Sequence, residues 1–74
     1  FNCYPNPANN EIHFISSYNE GLLRLFDLLG LLVIEIRLDL GVSIIDISEL
    51  KSGLYNAVLF TEGNRLVKRI IVMP

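Results

Sequence analysis

The sequence predicts an all-β protein, an antiparallel β-sandwich of six to seven short strands. Three observations carry this. Ile34 to Leu40 reads I-E-I-R-L-D-L, with apolar and charged residues in strict alternation. A period of two marks a half-buried strand, because successive side chains leave opposite faces. Glu62-Gly63-Asn64 separates two apolar runs, which is a hairpin signal. Apolar runs recur along the whole chain at roughly 8–12 residues with turn residues between them, the spacing of sandwich strands.

The elements follow in order. Tyr4 to Glu11, YPNPANNE, is stiff and polar. Proline fixes φ and lacks a backbone donor, so Pro5 and Pro7 are expected to stop strand pairing and set an entry angle, with Asn6, Asn9 and Asn10 capping an exposed turn. Glu11–Ile15 reads as a short strand with Ile12 and Phe14 on one face and His13 on the other. Leu22–Val33 is leucine-rich, and propensity alone favours helix. Gly30 breaks it, so Asp27-Leu28-Leu29-Gly30 becomes a turn between the strand Leu22–Asp27 and a strand from Leu31 onward. In Ile34–Leu40 the expected inward residues are Ile34, Ile36, Leu38 and Leu40, and Gly41 is expected to end the strand. Val42–Ile47 is a further apolar run. Asp46 to Gly53 reads as a compact turn, with a single 3₁₀ turn and with Asp46 and Ser48 bonding nearby N–H groups. Leu54–Thr61 and Arg65–Met73 form the closing hairpin. Ile70 and Ile71 are adjacent, so the inward face of the last strand stays open at this point. All five glycines read as turn punctuation.

Bulk composition narrows the function. A chain of 74 residues is at most one domain, and such a domain buries only about 60% of its unfolded surface. The 51% hydrophobic content can supply the dense core this requires. A net charge of −2 gives no basic stripe for phosphate contacts, which disfavours nucleic acid. Arg65, Lys68 and Arg69 are the nearest thing to a basic cluster and read as a solvated strand face. Cys3 is the single cysteine, expected to be a small buried hydrophobe with no cation nearby to activate it. No apolar run approaches the ~20 residues of a membrane-spanning helix, and no signal peptide is visible. The chain begins at Phe1, which suggests a fragment of a larger secreted protein.

No chemistry assembles. His13 is the only histidine and lies on a polar strand face. Asp46, Ser48 and Glu49 lack calcium-loop spacing and read as a structural turn. There is no phosphate-binding glycine loop. No catalytic, cofactor or metal residue is therefore assigned, and the protein is not expected to be an enzyme. Tyr4, Tyr18 and Phe26 are conceivable sugar-stacking aromatics, though core roles fit them better. Tyr55 stands at a strand start, where an Ig-like sandwich uses a tyrosine hydroxyl to fix a corner.

Four blocks taken together resemble a known family. They are Tyr4-Pro5-Asn6-Pro7-Ala8, then Asp27-Leu28-Leu29-Gly30, then Leu50, Gly53 and Tyr55, then Lys68-Arg69-Ile70-Ile71-Val72. In this order and spacing they resemble the type A C-terminal sorting domain of type IX secretion (Por secretion system) substrates in Bacteroidetes-type bacteria. Leu31 departs from the family pattern, which often has a basic residue after the glycine. The resemblance implies an Ig-like β-sandwich that serves as an address. Its cargo would cross the periplasm and reach the surface or medium of a Gram-negative bacterium. Its partners would be outer-membrane type IX components, a sortase-like protease that removes the domain, and the covalently linked upstream cargo. Two other readings are an accessory carbohydrate-binding or adhesion module, and a self-assembling module that pairs through the edge strand Arg65–Met73 as a homo-oligomer.

Overall fold

The computed structural model describes residues 1–73. It is all-β and antiparallel, with five strands: β1 (Asn2–Tyr4), β2 (Glu11–Phe26), β3 (Leu32–Asp46), β4 (Gly53–Thr61) and β5 (Asn64–Val72). The expected six to seven short strands become five because two pairs fuse. Glu11–Ile15 and the expected strand Leu22–Asp27, up to Phe26, lie on one 16-residue strand, and the runs either side of Gly41 lie on one 15-residue strand.

Fusion is possible because the long strands are irregular in the middle. Ser16 pairs with Gly41 and Glu20 with Asp39, so Ser17, Tyr18 and Asn19 stand opposite Leu40 alone. Such an irregularity bends a strand pair and increases its twist. It also exchanges the buried face. Ile12, Phe14 and Ser16 are buried before it, and Gly21, Leu23 and Leu25 after it. A change of one in parity sends the opposite set of side chains inward, so the bent ribbon offers the core an apolar face from both halves. Gly41 does not end β3. It sits within the bend at φ 101°, a left-handed backbone that a Cβ disfavours.

β2 is the central strand. β3 flanks it on one side, while β1 and then β4 flank it on the other, and β5 pairs with β4. The curled sheet closes over a core of Ile12, Phe14, Leu23, Leu25, Leu38, Ile47, Leu59, Ile70 and Val72, all fully buried. The ambiguity in β5 is resolved: Ile70 and Val72 face in, and Ile71 faces out. Of the four residues expected to face inward on β3, Leu38 is buried and Ile34 half-buried. Ile36 and Leu40 are exposed at 38% and 61%. They have the right parity, but among the described residues β3 has no strand on its outer side to cover them.

Gly21 is not turn punctuation either. It lies inside β2, where a Cβ would stand 2.7 Å from Leu59 Cδ1 and 3.3 Å from the Phe60 carbonyl. Its bareness lets β4 close onto β2. Gly21→Val is expected to destabilise the fold by about 1–3 kcal/mol, the usual cost of overpacking. Urea unfolding would measure this, and Gly21→Ala, which adds the Cβ alone, should cost less than Gly21→Val.

Candidate recognition surface

Pro5 and Pro7 make no strand pairing, as expected, but the segment that holds them is not the free exposed turn its asparagines suggest. It pairs with the far end of the chain. The Asn6 side-chain amide donates to the Arg69 carbonyl (3.1 Å), and its Oδ1 accepts from the Ile71 N–H (2.9 Å). Ala8 then continues the pairing with its backbone. Its N–H donates to the Ile71 carbonyl (2.8 Å), and its carbonyl accepts from Met73 N–H (2.7 Å). A primary amide carries a donor and an acceptor side by side, so the Asn6 side chain stands in for a strand backbone where the prolines cannot. Ala8 is fully buried, which explains a small residue at that position. Asn10 contributes at a different place, accepting from the Ile47 N–H through its carbonyl (2.9 Å).

Asp27 and Gly30 form the hairpin tip as expected. The Asp27 carboxylate accepts from the N–H groups of Leu29 (2.9 Å) and Leu31 (3.0 Å), and Gly30 has φ 83°. This arrangement leaves Leu28, Leu29 and Leu31 exposed at 70%, 86% and 61%. The turn after β3 also behaves as expected. Asp46 Oδ1 accepts from the Ser48 N–H, and the Leu50 N–H donates to the Ile47 carbonyl. Tyr55 fixes a corner: its hydroxyl donates to the Lys51 carbonyl at 2.7 Å. Leu50 is half-buried and packs against the core.

The four blocks, far apart in sequence, meet at one end of the sheet. Ala8 bridges to Val72, Val72 pairs with Gly53, and Ser52–Tyr55 line one shallow depression together with Asp27, Leu28 and Leu29. Tyr4 does not line this depression; it pairs with His13, with its ring 4.9 Å from that of His13. His13 is half-buried, with Glu11 3.5 Å away. Pro5 and Pro7 are exposed and line a cleft with Asn9, Asn10, Glu11 and His13.

Lys68 and Arg69 are both exposed, but as neighbours on a strand they leave opposite faces. The structure therefore does not gather them into one patch. Lys68 lies on the side of Cys3. Burial pushes the Cys3 thiol up, and the nearby Lys68 offsets part of that rise, so the thiol does have a cation near it. Arg69 shares the outer face with Arg65 and, across the sheet, with Arg24, whose guanidinium lies 5.4 Å from the centre of the Phe60 ring and bonds Glu35 at 2.6 Å. Sequence reasoning missed Arg24 and Phe60 as members of this face. The period-two pattern could have placed each on its strand's outer side, but only the β2–β4–β5 register puts them together.

The class defined by these features is a small antiparallel sandwich whose sequence motifs build a shared surface at one end. Residues 2–73 match the family described as secretion system C-terminal sorting domain, and the chain belongs to that family. A search of curated proteins and a search of solved structures each returned no match. Membership makes the chain a type IX sorting signal, joined to an upstream cargo and serving export to the surface or medium of a Gram-negative bacterium.

Two outcomes follow from the turn and clamp geometry. Asn6→Ala removes one donor and one acceptor, at a cost of roughly 1–3 kcal/mol. Amide hydrogen exchange should accelerate at Ile71 and Met73 before the β2–β4 amides respond. The Ser48 hydroxyl and N–H hold the Asp46 carboxyl below its ordinary value of 3.8. A depressed folded-state pKa stabilises above the unfolded value and loses that contribution as pH falls through the folded one. The acid limb of a thermal-stability profile below about pH 4 should therefore be shallower in Asp46→Asn.

Proposed function

We propose that the outer-membrane type IX machinery recognises the end of the sheet where the four blocks meet, together with the exposed cations of β5. The single observation that supports this most is the clamp. Asn6 reaches across 63 and 65 residues to Arg69 and Ile71, so the first and last blocks are one object only when the domain is folded. An address of this kind is read as a shape. The periplasm is the compartment in which it would fold, after the cargo has crossed the inner membrane. The domain itself performs no chemistry. A sortase-like protease then removes it by cutting upstream of the clamp, and the clamp keeps the folded module from being a substrate itself.

The turn chemistry fits this division of labour. Asp27 and Gly30 hold the leucine tip, Tyr55 holds the neighbouring corner, and the side chains of Leu28, Leu29 and Arg69 are left for contact. An accessory sugar-binding role has less support, because among the described residues no row of exposed aromatics forms a platform. Tyr18 and Phe26 are half-buried, and Tyr4 lies against His13.

The test is an export assay. The 74-residue chain is fused to the C-terminus of a fluorescent protein with an N-terminal export signal, in a type IX-competent host. Fluorescence at the surface or in the medium, dependent on that machinery, is expected. Lys68→Glu with Arg69→Glu should reduce export several-fold while the melting temperature stays within a few degrees, since both side chains are solvent-exposed. Normal export of a folded double variant would remove these two residues from the recognised surface.

A further inference from the structure

The sheet has three exposed flanks, and two are protected. β1 is only three residues long, and the Asn6–Ala8 segment covers the C-terminal half of β5. The expectation of an edge at Arg65–Met73 therefore holds only for the first half of β5. The long open edge is β3, which among the described residues pairs with β2 alone. Proteins usually protect such an edge with proline, inward-pointing charge or a covering loop. Residues 32–40 have no proline, lysine or inward-pointing charge, and their outward charges Glu35, Arg37 and Asp39 alternate in sign. They carry Leu32, Ile36 and Leu40 at 49%, 38% and 61% exposure instead.

We propose that the chain forms a two-fold dimer through this edge, with residues 32–40 of one copy pairing antiparallel with the same residues of a second copy about Ile36. Charge selects the occupant, and charge together with the bend at Gly41 selects the register. Centring on Ile36 places Glu35 opposite the second copy's Arg37, twice by symmetry. It also sets Leu32 against Leu40, Ile34 against Leu38, and Ile36 against itself. Val33 opposite Asp39 is the one mismatched pair. Centring on Arg37 would oppose two arginines and place Glu35 against Asp39, and like charges directly opposite are destabilising. Centring on Leu38 would carry the pairing across Gly41, where the inward face changes parity. The charges are available for this use. Arg24 occupies only Oε2 of Glu35, and Arg37 has no carboxylate at ion-pair distance among the described residues. A self-complementary patch closes as a two-fold pair and does not propagate.

Sedimentation of the 74-residue chain should show a monomer–dimer equilibrium at sub-millimolar concentration. Arg37→Glu, on an exposed outer position, should weaken association at least tenfold with unchanged circular dichroism, and Ile36→Lys should do the same. In a Cys3→Ser background, Ile36→Cys should crosslink to itself under mild oxidation, whereas Leu40→Cys should not. A monomer throughout would overturn the proposal. So would a dimer indifferent to both substitutions, or one in which Leu40→Cys crosslinks and Ile36→Cys does not. Protection of β3 amides only on adding outer-membrane secretion components would assign the edge to the machinery and likewise overturn it. None of these readouts depends on export.

Discussion

The Asn6 side chain bonded to β5 is the interaction on which the rest of the structure depends. A curled sheet that branches at β2 has three margins, and a chain this short has little core to spare for holding them closed. One amide supplies a donor and an acceptor in the geometry of a strand backbone, and Ala8 extends the pairing by two further bonds. These contacts tie the beginning of the chain to its end. They hold Val72 over the core beside Ala8, and Val72 in turn sets the start of β4 at Gly53. The corner at Tyr55 and the hairpin tip at Asp27 then fall against one another. The prolines are useful because they cannot pair: the segment can offer β5 only Asn6 and Ala8, so its register is defined.

The second constraint is the bend in the β2–β3 ribbon. A regular pair of strands this long would show one apolar face throughout and could not fold over its own core. Three residues opposite one at Leu40 change the inward set on both strands at the same point. The polar run Ser16 to Glu20 fits that role, since it demands no burial beyond Ser16. The Ser16 hydroxyl is kept satisfied by the Tyr18 N–H, and the Thr61 hydroxyl donates to the Glu20 carbonyl across the bend. What looked like a gap between two strands is therefore the place where one strand changes face.

Protection of the edges is uneven, and that has functional meaning for a sorting signal. The end carrying the family's motifs is hydrogen-bonded shut, with its exposed groups held by short turns. The β3 flank is open and apolar. A domain that serves as a sorting signal benefits from a rigid surface for recognition. A second surface that pairs only with a complementary strand leaves the first one free.

Much of this was legible in the sequence by itself. Alternation located Ile34–Leu40, the Gly30 turn chose hairpin over helix despite seven leucines in Leu22–Leu32, and the Tyr55 corner and Asp46 turn followed from local chemistry. Each of these depends on residues within a few positions of one another. Tertiary structure alone decided the strand count, the burial of β3 and the role of the Pro-Asn-Pro segment. Gly21 and Gly41 resemble turn residues until Leu59 closes on the first and the bend gives the second its positive φ. Ile36 and Leu40 carry the right parity, but burial needs a flanking strand that β3 lacks. Asn6 reads as a turn cap because its partners, Arg69 and Ile71, lie at the opposite end of the chain, and no local pattern encodes a hydrogen bond across 63 residues.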